Sequence, residues 1–146
     1  MSKPTIYVAA PWKDKEYAKQ VAKQFEAAGF EVTSRWINFH EDKPADQSGL
    51  SYSLDVLQNE GMQDIDDVYR ADFFCLLNTQ KRGEETSGKA VETGLAIAKG
   101  KIVVMVGEPS NIFHTLDCVM KVKTVREAIE YCLTEGMLEK HVMEGV

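Results

Sequence analysis

Cysteine is scarce: only Cys75, Cys118 and Cys132 occur among 146 residues. The number is odd and no pair has CxxC spacing, so neither a disulfide framework nor a zinc site fits. They read as reduced, buried thiols of a cytoplasmic protein. Long apolar runs are lacking. Ile102-Val103-Val104-Met105-Val106 is typical, far short of the roughly 20 residues a membrane helix needs, so no membrane partner is expected. The opening Met1-Ser2-Lys3-Pro4 carries no secretory pattern. No Lys/Arg cluster exceeds a dipeptide, and 17 basic residues face 23 acidic ones, a net charge of −6. That balance argues against a polynucleotide and for a small-molecule ligand. There is no GxxxxGK[ST], no GxGxxG after the first strand and no GxSxG. A P-loop nucleotidase, ordinary dinucleotide binding and an α/β-hydrolase are therefore disfavoured. His40, His114 and His141 have no metal-ligand spacing, and no metal is expected.

What is present is ordinary globular composition, 44% hydrophobic and 27% charged. The length suits one domain, read as 1–135 with a tail at 136–146. Short β-branched and apolar runs predict strands at 5–10, 31–37, 72–78, 101–106 and 118–122. Helical spacing of Tyr17, Val21, Phe25 and Ala28 follows the first strand, between Asp14 as cap and Gly29 as stop. Residues 51–70 predict one or two helices with a break at Gly61, on the helical spacing of Leu54, Leu57, Ile65, Val68 and Tyr69. Residues 89–99 predict a helix with Val91, Leu95 and Ala98 inward. Thr124 caps a last helix to about Glu135, with Val125, Ile129, Cys132 and Leu133 inward. Gly136 closes it, and a weakly helical or frayed tail follows. Strands and helices alternate, which predicts a three-layer α/β sandwich of Rossmann or flavodoxin-like kind. About five parallel strands would carry helices on both faces. Such folds bind ligands beyond the carboxyl ends of the strands, here residues 10–13, 38–50, 78–92 and 107–114.

The segment Thr86-Ser87-Gly88-Lys89-Ala90-Val91-Glu92-Thr93-Gly94 places hydroxyls and free N–H groups where a helix opens at the sheet mouth. That suits a phosphate or a sugar hydroxyl. Glu92 falls in the expected first turn, where the helix dipole favours an ionised carboxylate and hence a nucleophile. A first-turn acid also simply complements the dipole. The run from Asp64 to Asp72 reads mostly as solvated face and cap, with Asp64 the acid placed to reach the functional edge. Tyr7 and Trp12 bracket the first strand. Aromatics there stack on a ring-shaped ligand or, for Tyr7 especially, pack in the core.

Together these segments resemble the nucleoside 2-deoxyribosyltransferase family. Tyr7-Val8-Ala9-Ala10-Pro11-Trp12 is similar to its opening Tyr-Leu-Ala-Gly-Pro-Phe. Asp64 followed by Ala71-Asp72 resembles its Asp-x6-Ala-Asp segment. Gly88-Lys89-Ala90-Val91-Glu92-Thr93-Gly94-Leu95-Ala96 with Gly100-Lys101-Ile102-Val103 resembles its Gly-x3-Glu-x-Gly-x-Ala…Gly-Lys-x-Val element. Gly107 with Asn111-Ile112-Phe113-His114 is similar to a Gly…Asn-Val-Phe-His stretch. The likeness runs from Tyr7 to about Leu133.

The resemblance implies transfer of 2-deoxyribose between nucleobases, or hydrolysis of 2′-deoxynucleoside 5′-monophosphates. Glu92 would be the nucleophile of a covalent glycosyl-enzyme, Asp64 a substrate-contacting acid and Tyr7 the residue that orients Glu92. Substrate contacts would fall at Pro11, Trp12, Thr86, Ser87, Gly88, Lys89, Asn111, Phe113 and His114. The last three would come from a neighbouring subunit of a homo-oligomer with a shared active site. No metal or organic cofactor is implied. Transferases carry an aspartate where this chain has Thr86, while the monophosphate hydrolases tend to carry a phosphate-binding serine. Thr86 with Ser87, Lys89, Lys81 and Arg82 is chemically closer to a phosphate site. A non-catalytic nucleotide-binding or sensing module on the same fold is the alternative.

Overall fold

The computed structural model describes residues 2–38, 52–82 and 87–144. Five strands form one sheet: β1 (Thr5–Ala9), β2 (Glu31–Val32), β3 (Phe73–Leu77), β4 (Ile102–Val106) and β5 (Val119–Val122). All neighbours are parallel, in the order β2-β1-β3-β4-β5. Four helices connect and close it: α1 (Lys15–Ala27), α2 (Leu54–Arg70), α3 (Ser87–Ala98) and α4 (Val125–Glu144). This is the three-layer α/β sandwich that the alternation predicts, of flavodoxin-like kind. β1 and β3 are continuous apolar runs because both their faces are covered. Ile6, Tyr7, Val8 and Ala9 are fully buried, as are Phe74 to Leu77.

Strand alternation sorts side chains between the two helical layers. Phe73 meets Phe30 edge-on, Phe30 meets Phe25 of α1 edge-on, and Phe73 lies under Gly136 of α4. That face belongs to α1 and α4. On the opposite face Tyr7 stacks on Phe74, its register partner, with ring centroids 5.5 Å apart. There α2 and α3 pack on each other and on β1. Each large side chain so buried stabilises the fold by roughly 1.5–3 kcal/mol.

Several local expectations are corrected. The second strand stops at Val32, and Arg35–Asn38 forms a 3₁₀ turn. Polar side chains take over the edge of β1 there: Val8 N donates to Ser34 Oγ at 2.6 Å, and Trp36 Nε1 donates to Val8 O at 2.8 Å. Helix α2 runs unbroken through Gly61 from a Ser53 cap. Its inward residues are Asp67 and Val68, while Leu54, Ile65 and Tyr69 are exposed. Helix α3 turns Lys89, Thr93 and Ala96 inward and leaves Val91 exposed. Leu95 packs on the core as expected, but the stripe of Lys89, Thr93 and Ala96 has the same helical spacing and hydropathy alone does not select it. Helix α4 continues through Gly136 to Glu144, with Ala128 and Cys132 in the core and Leu133 exposed. Cys118 is exposed, unlike buried Cys75 and Cys132. Beyond Asn38, the loop expected at 38–50 lies outside the described residues.

Candidate active site

Three elements deliver three polar side chains to the α2/α3 face. β1 supplies Tyr7, whose ring lies flat on Phe74. Helix α2 supplies Asp64, one turn before buried Asp67. Helix α3 supplies Glu92, one turn beyond buried Lys89. The Tyr7 hydroxyl and Asp64 Oδ1 are buried and have no partner at full hydrogen-bond geometry among the described residues. Buried polar atoms are nearly always paired, so two such atoms in one place are unusual and point to a ligand-facing site.

The electrostatics follow from that crowding. Burial pushes the Glu92 carboxyl up to about 8, the nearby Asp64 charge pushes the same way, and interaction with the Tyr7 hydroxyl pulls it back. Asp64 is raised to about 7 by burial, then by Glu60 and Asp67, against the opposing Arg35 guanidinium. Tyr7 is raised well above its ordinary value by burial and by the Glu92 and Asp64 charges. Part of the Glu92 surface stays accessible, yet the carboxyl sits deep enough for desolvation to dominate. The expectation of an ionised first-turn glutamate is thereby corrected. Because α3 opens at Ser87, Glu92 stands in its second turn, beyond the free N–H groups of the helix end. Burial and mutual repulsion of the two carboxyls favour retention of a proton on the pair near neutral pH. Such a site can hold an acid and a base side by side, once a ligand decides which oxygen keeps the proton.

The other predicted contacts divide into groups. Pro11 is buried. Half-buried Trp12 leans on Trp36 with centroids 6.2 Å apart, and the Lys15 ammonium lies 5.2 Å over its ring. This makes an aromatic wall beyond the carboxyl end of β1. Thr86 lies outside the described residues. Ser87 and Gly88 open α3, and Gly88 has open space around its Cα. Lys89 is buried, and its ammonium donates to Asn78 Oδ1 at 3.0 Å. Asn111 caps the 3₁₀ turn Ile112–Thr115: its Oδ1 accepts from Phe113 N at 2.9 Å and His114 N at 3.1 Å. Phe113 projects outward, 60% exposed. His114 is buried; its Nδ1 accepts from Ser110 N at 3.1 Å and its Nε2 lies 3.3 Å from Asn111 Nδ2.

Sequence reasoning missed Asp67, Arg35 and Asn78. Asp67 is fully buried and binds Arg35 and Arg70, although the acidic run reads as a solvated face. The i,i+3 spacing of Asp67 and Arg70 was its one local signal. Among the described residues, no group of three or more His, Cys, Asp or Glu gathers as metal ligands do. Among them too, no helix is long and apolar enough to cross a membrane.

The family model described as nucleoside 2-deoxyribosyltransferase matches residues 6–137 of this chain. The solved CMP N-glycosidase of Clostridium botulinum has a similar fold, with a TM-score of 0.55 at 20% identity, over 88% of this chain and 97% of that one. No curated protein matches.

Proposed function

The chain belongs to the nucleoside 2-deoxyribosyltransferase family, and we propose that it cleaves the N-glycosidic bond of 2′-deoxynucleosides or their 5′-monophosphates through a covalent sugar on Glu92. The observation that carries this reading is the convergence of Tyr7, Asp64 and Glu92, with the Tyr7 hydroxyl set against the Glu92 carboxyl and an Asp64 oxygen buried without a partner among the described residues. Ionised Glu92 attacks C1′ from the face opposite the base. The C1′–N bond breaks, its electron pair leaves with the base, and the base takes a proton. Asp64 is placed to hold that proton or to contact the sugar. Tyr7 orients Glu92 and favours its ionised form. Water or a second base then attacks C1′, the Glu92–C1′ bond breaks, and the sugar leaves with retained configuration. No metal or organic cofactor enters these steps.

The aromatic wall of Pro11 and Trp12 suits the flat face of a base. Ser87 and Gly88 at the start of α3, with Thr86 preceding them in the sequence, suit a 5′-phosphate. This favours monophosphate hydrolysis as the second reading, because a neutral nucleoside does not require those donors. Exposed Phe113 would complete a neighbouring subunit's site, with Asn111 and buried His114 holding the turn that presents it. In support, Ile112 and Phe113 are apolar and exposed.

The test is base release from a panel of deoxynucleosides and deoxynucleoside 5′-monophosphates, with and without a second free base. A new nucleoside formed only with an acceptor base establishes transfer. Free base from monophosphates alone establishes hydrolysis. Detectable ligand binding without either product supports the sensing-module alternative and overturns the enzymatic reading. A further check is Thr86→Ala combined with Ser87→Ala, expected to weaken monophosphate use more than nucleoside use.

A further inference from the structure

We propose that Asn78 is a positioning residue, the joint through which the helix carrying Glu92 and the segment 107–116 are held in fixed relation. The inference rests on the reading of Glu92 as nucleophile. Asn78 follows the last residue of β3 and is 6% exposed. Its Oδ1 accepts from Lys89 Nζ at 3.0 Å. Its Nδ2 donates to Glu108 O at 2.6 Å and to Ser110 Oγ at 3.1 Å. The amide is thus fixed in one orientation, since a flip would set its NH₂ against an ammonium.

One arm ends on the helix that carries Glu92, the other on the segment proposed to complete a neighbouring subunit's site. Lys89 lies one turn before Glu92 on the same face of α3, and its carbonyl accepts from Thr93 Oγ1 at 2.7 Å. Ser110 passes the connection to His114 Nδ1, and Asn111 caps the turn that presents Phe113. Backbone geometry reinforces the joint. Asn78 N donates to Val106 O at 2.9 Å, and Gly107 adopts φ +122°, where any Cβ would collide with the Asn78 carbonyl oxygen. Asn78, Lys89, Ser110 and His114 are all buried, so the linkage is screened little by water. A displacement of about 1 Å at a reacting group costs up to about a hundredfold in rate.

The two arms can be cut separately. Asn78→Asp keeps the acceptor for Lys89 but loses both donors, and its second oxygen faces the Glu108 carbonyl. Lys89→Met keeps the stem and loses the bond to Asn78. With the intact protein, Asn78→Asp is expected to raise KM about tenfold with kcat within about threefold. Lys89→Met is expected to lower kcat about 10–100-fold with KM within about threefold. Hydrogen exchange of the same proteins gives a readout independent of turnover. Asn78→Asp should loosen 107–116 and spare α3, whereas Lys89→Met should loosen α3 and spare 107–116. Loss in the same kinetic parameter for both variants, or equal loosening of both segments, overturns the proposal. If even the unaltered protein releases no base, the proposed function fails and the exchange pattern alone decides. Selective loosening then upholds the joint, and uniform loosening or none refutes it.

Discussion

Asp64 and Asp67 stand three residues apart on α2 and meet opposite surroundings. Asp67 has no exposed surface. Its Oδ1 receives Arg35 Nε at 2.8 Å and Arg70 Nη2 at 2.7 Å, and its Oδ2 accepts from Arg35 N at 3.0 Å. Asp64 is only partly buried, yet its Oδ1 is buried without a partner and its carboxyl is raised to about 7. The first acid is a strut that pins the turn after β2 to α2. The second is the acid proposed to meet the ligand. Burial alone therefore does not separate structural from reactive acids, but completeness of pairing does.

The largest expected effect lies on the unpaired side. Glu92→Gln should reduce base release at least about a thousandfold while ligand binding persists. Near-normal turnover would erase the distinction drawn between the two acids. On the paired side, Asp67→Ala should lower urea-measured stability by about 2–3 kcal/mol, through the orphaned Arg35 N–H and the lost charged bonds. The half-exposed guanidiniums can turn to water, which keeps the loss below that of a wholly buried pair.

Asp64→Asn should do the reverse. The Asp64 and Glu92 carboxyls rise from ordinary values of 3.8 and 4.5 to about 7 and 8 on folding. Between about pH 4 and 8 the folded state holds more protons than the unfolded one, so stability falls as pH rises through that window. Below pH 4 the penalty vanishes, because both carboxyls are neutral in either state. Removing one titrating acid should flatten the slope and raise Tm at pH 8 by about 3–6 °C, read by thermal melts across pH. A Tm that drops at pH 8 would place Asp64 with the struts.

The smallest effect is that of Tyr7→Phe. The stack on Phe74 survives and only the hydroxyl set against the Glu92 carboxyl is removed, so stability should change by about 1 kcal/mol or less. Because that hydroxyl lowers the Glu92 carboxyl, its loss should move the acid limb of the rate profile to higher pH.

The element order and parallel sheet were legible because β1, β3 and β4 are uninterrupted apolar runs separated by helical periods. Tyr7, Asp64 and Glu92 were legible as a set through motif resemblance, and their convergence needed the fold. The inward face of α3 was not legible. It carries Lys89, Glu92 and Thr93, polar residues whose burial is satisfied by distant partners such as Asn78 or left open for a ligand. Asp67 was hidden for the same reason. One of its two guanidiniums, Arg35, lies 32 residues away. Glycine disfavours helix and so suggested a break at Gly61, but its cost of about 1 kcal/mol is small enough for packing to override, and α2 continues.

Double displacement through Glu92 fixes the stereochemistry at C1′. Its most direct test is the configuration at C1′ when methanol replaces water as acceptor, since the methyl deoxyriboside does not equilibrate as the free sugar does. Proton NMR of the product should show the β-methyl glycoside, the configuration of the substrate retained through a glutamyl intermediate. The α-methyl glycoside would mean single displacement and would contradict the account.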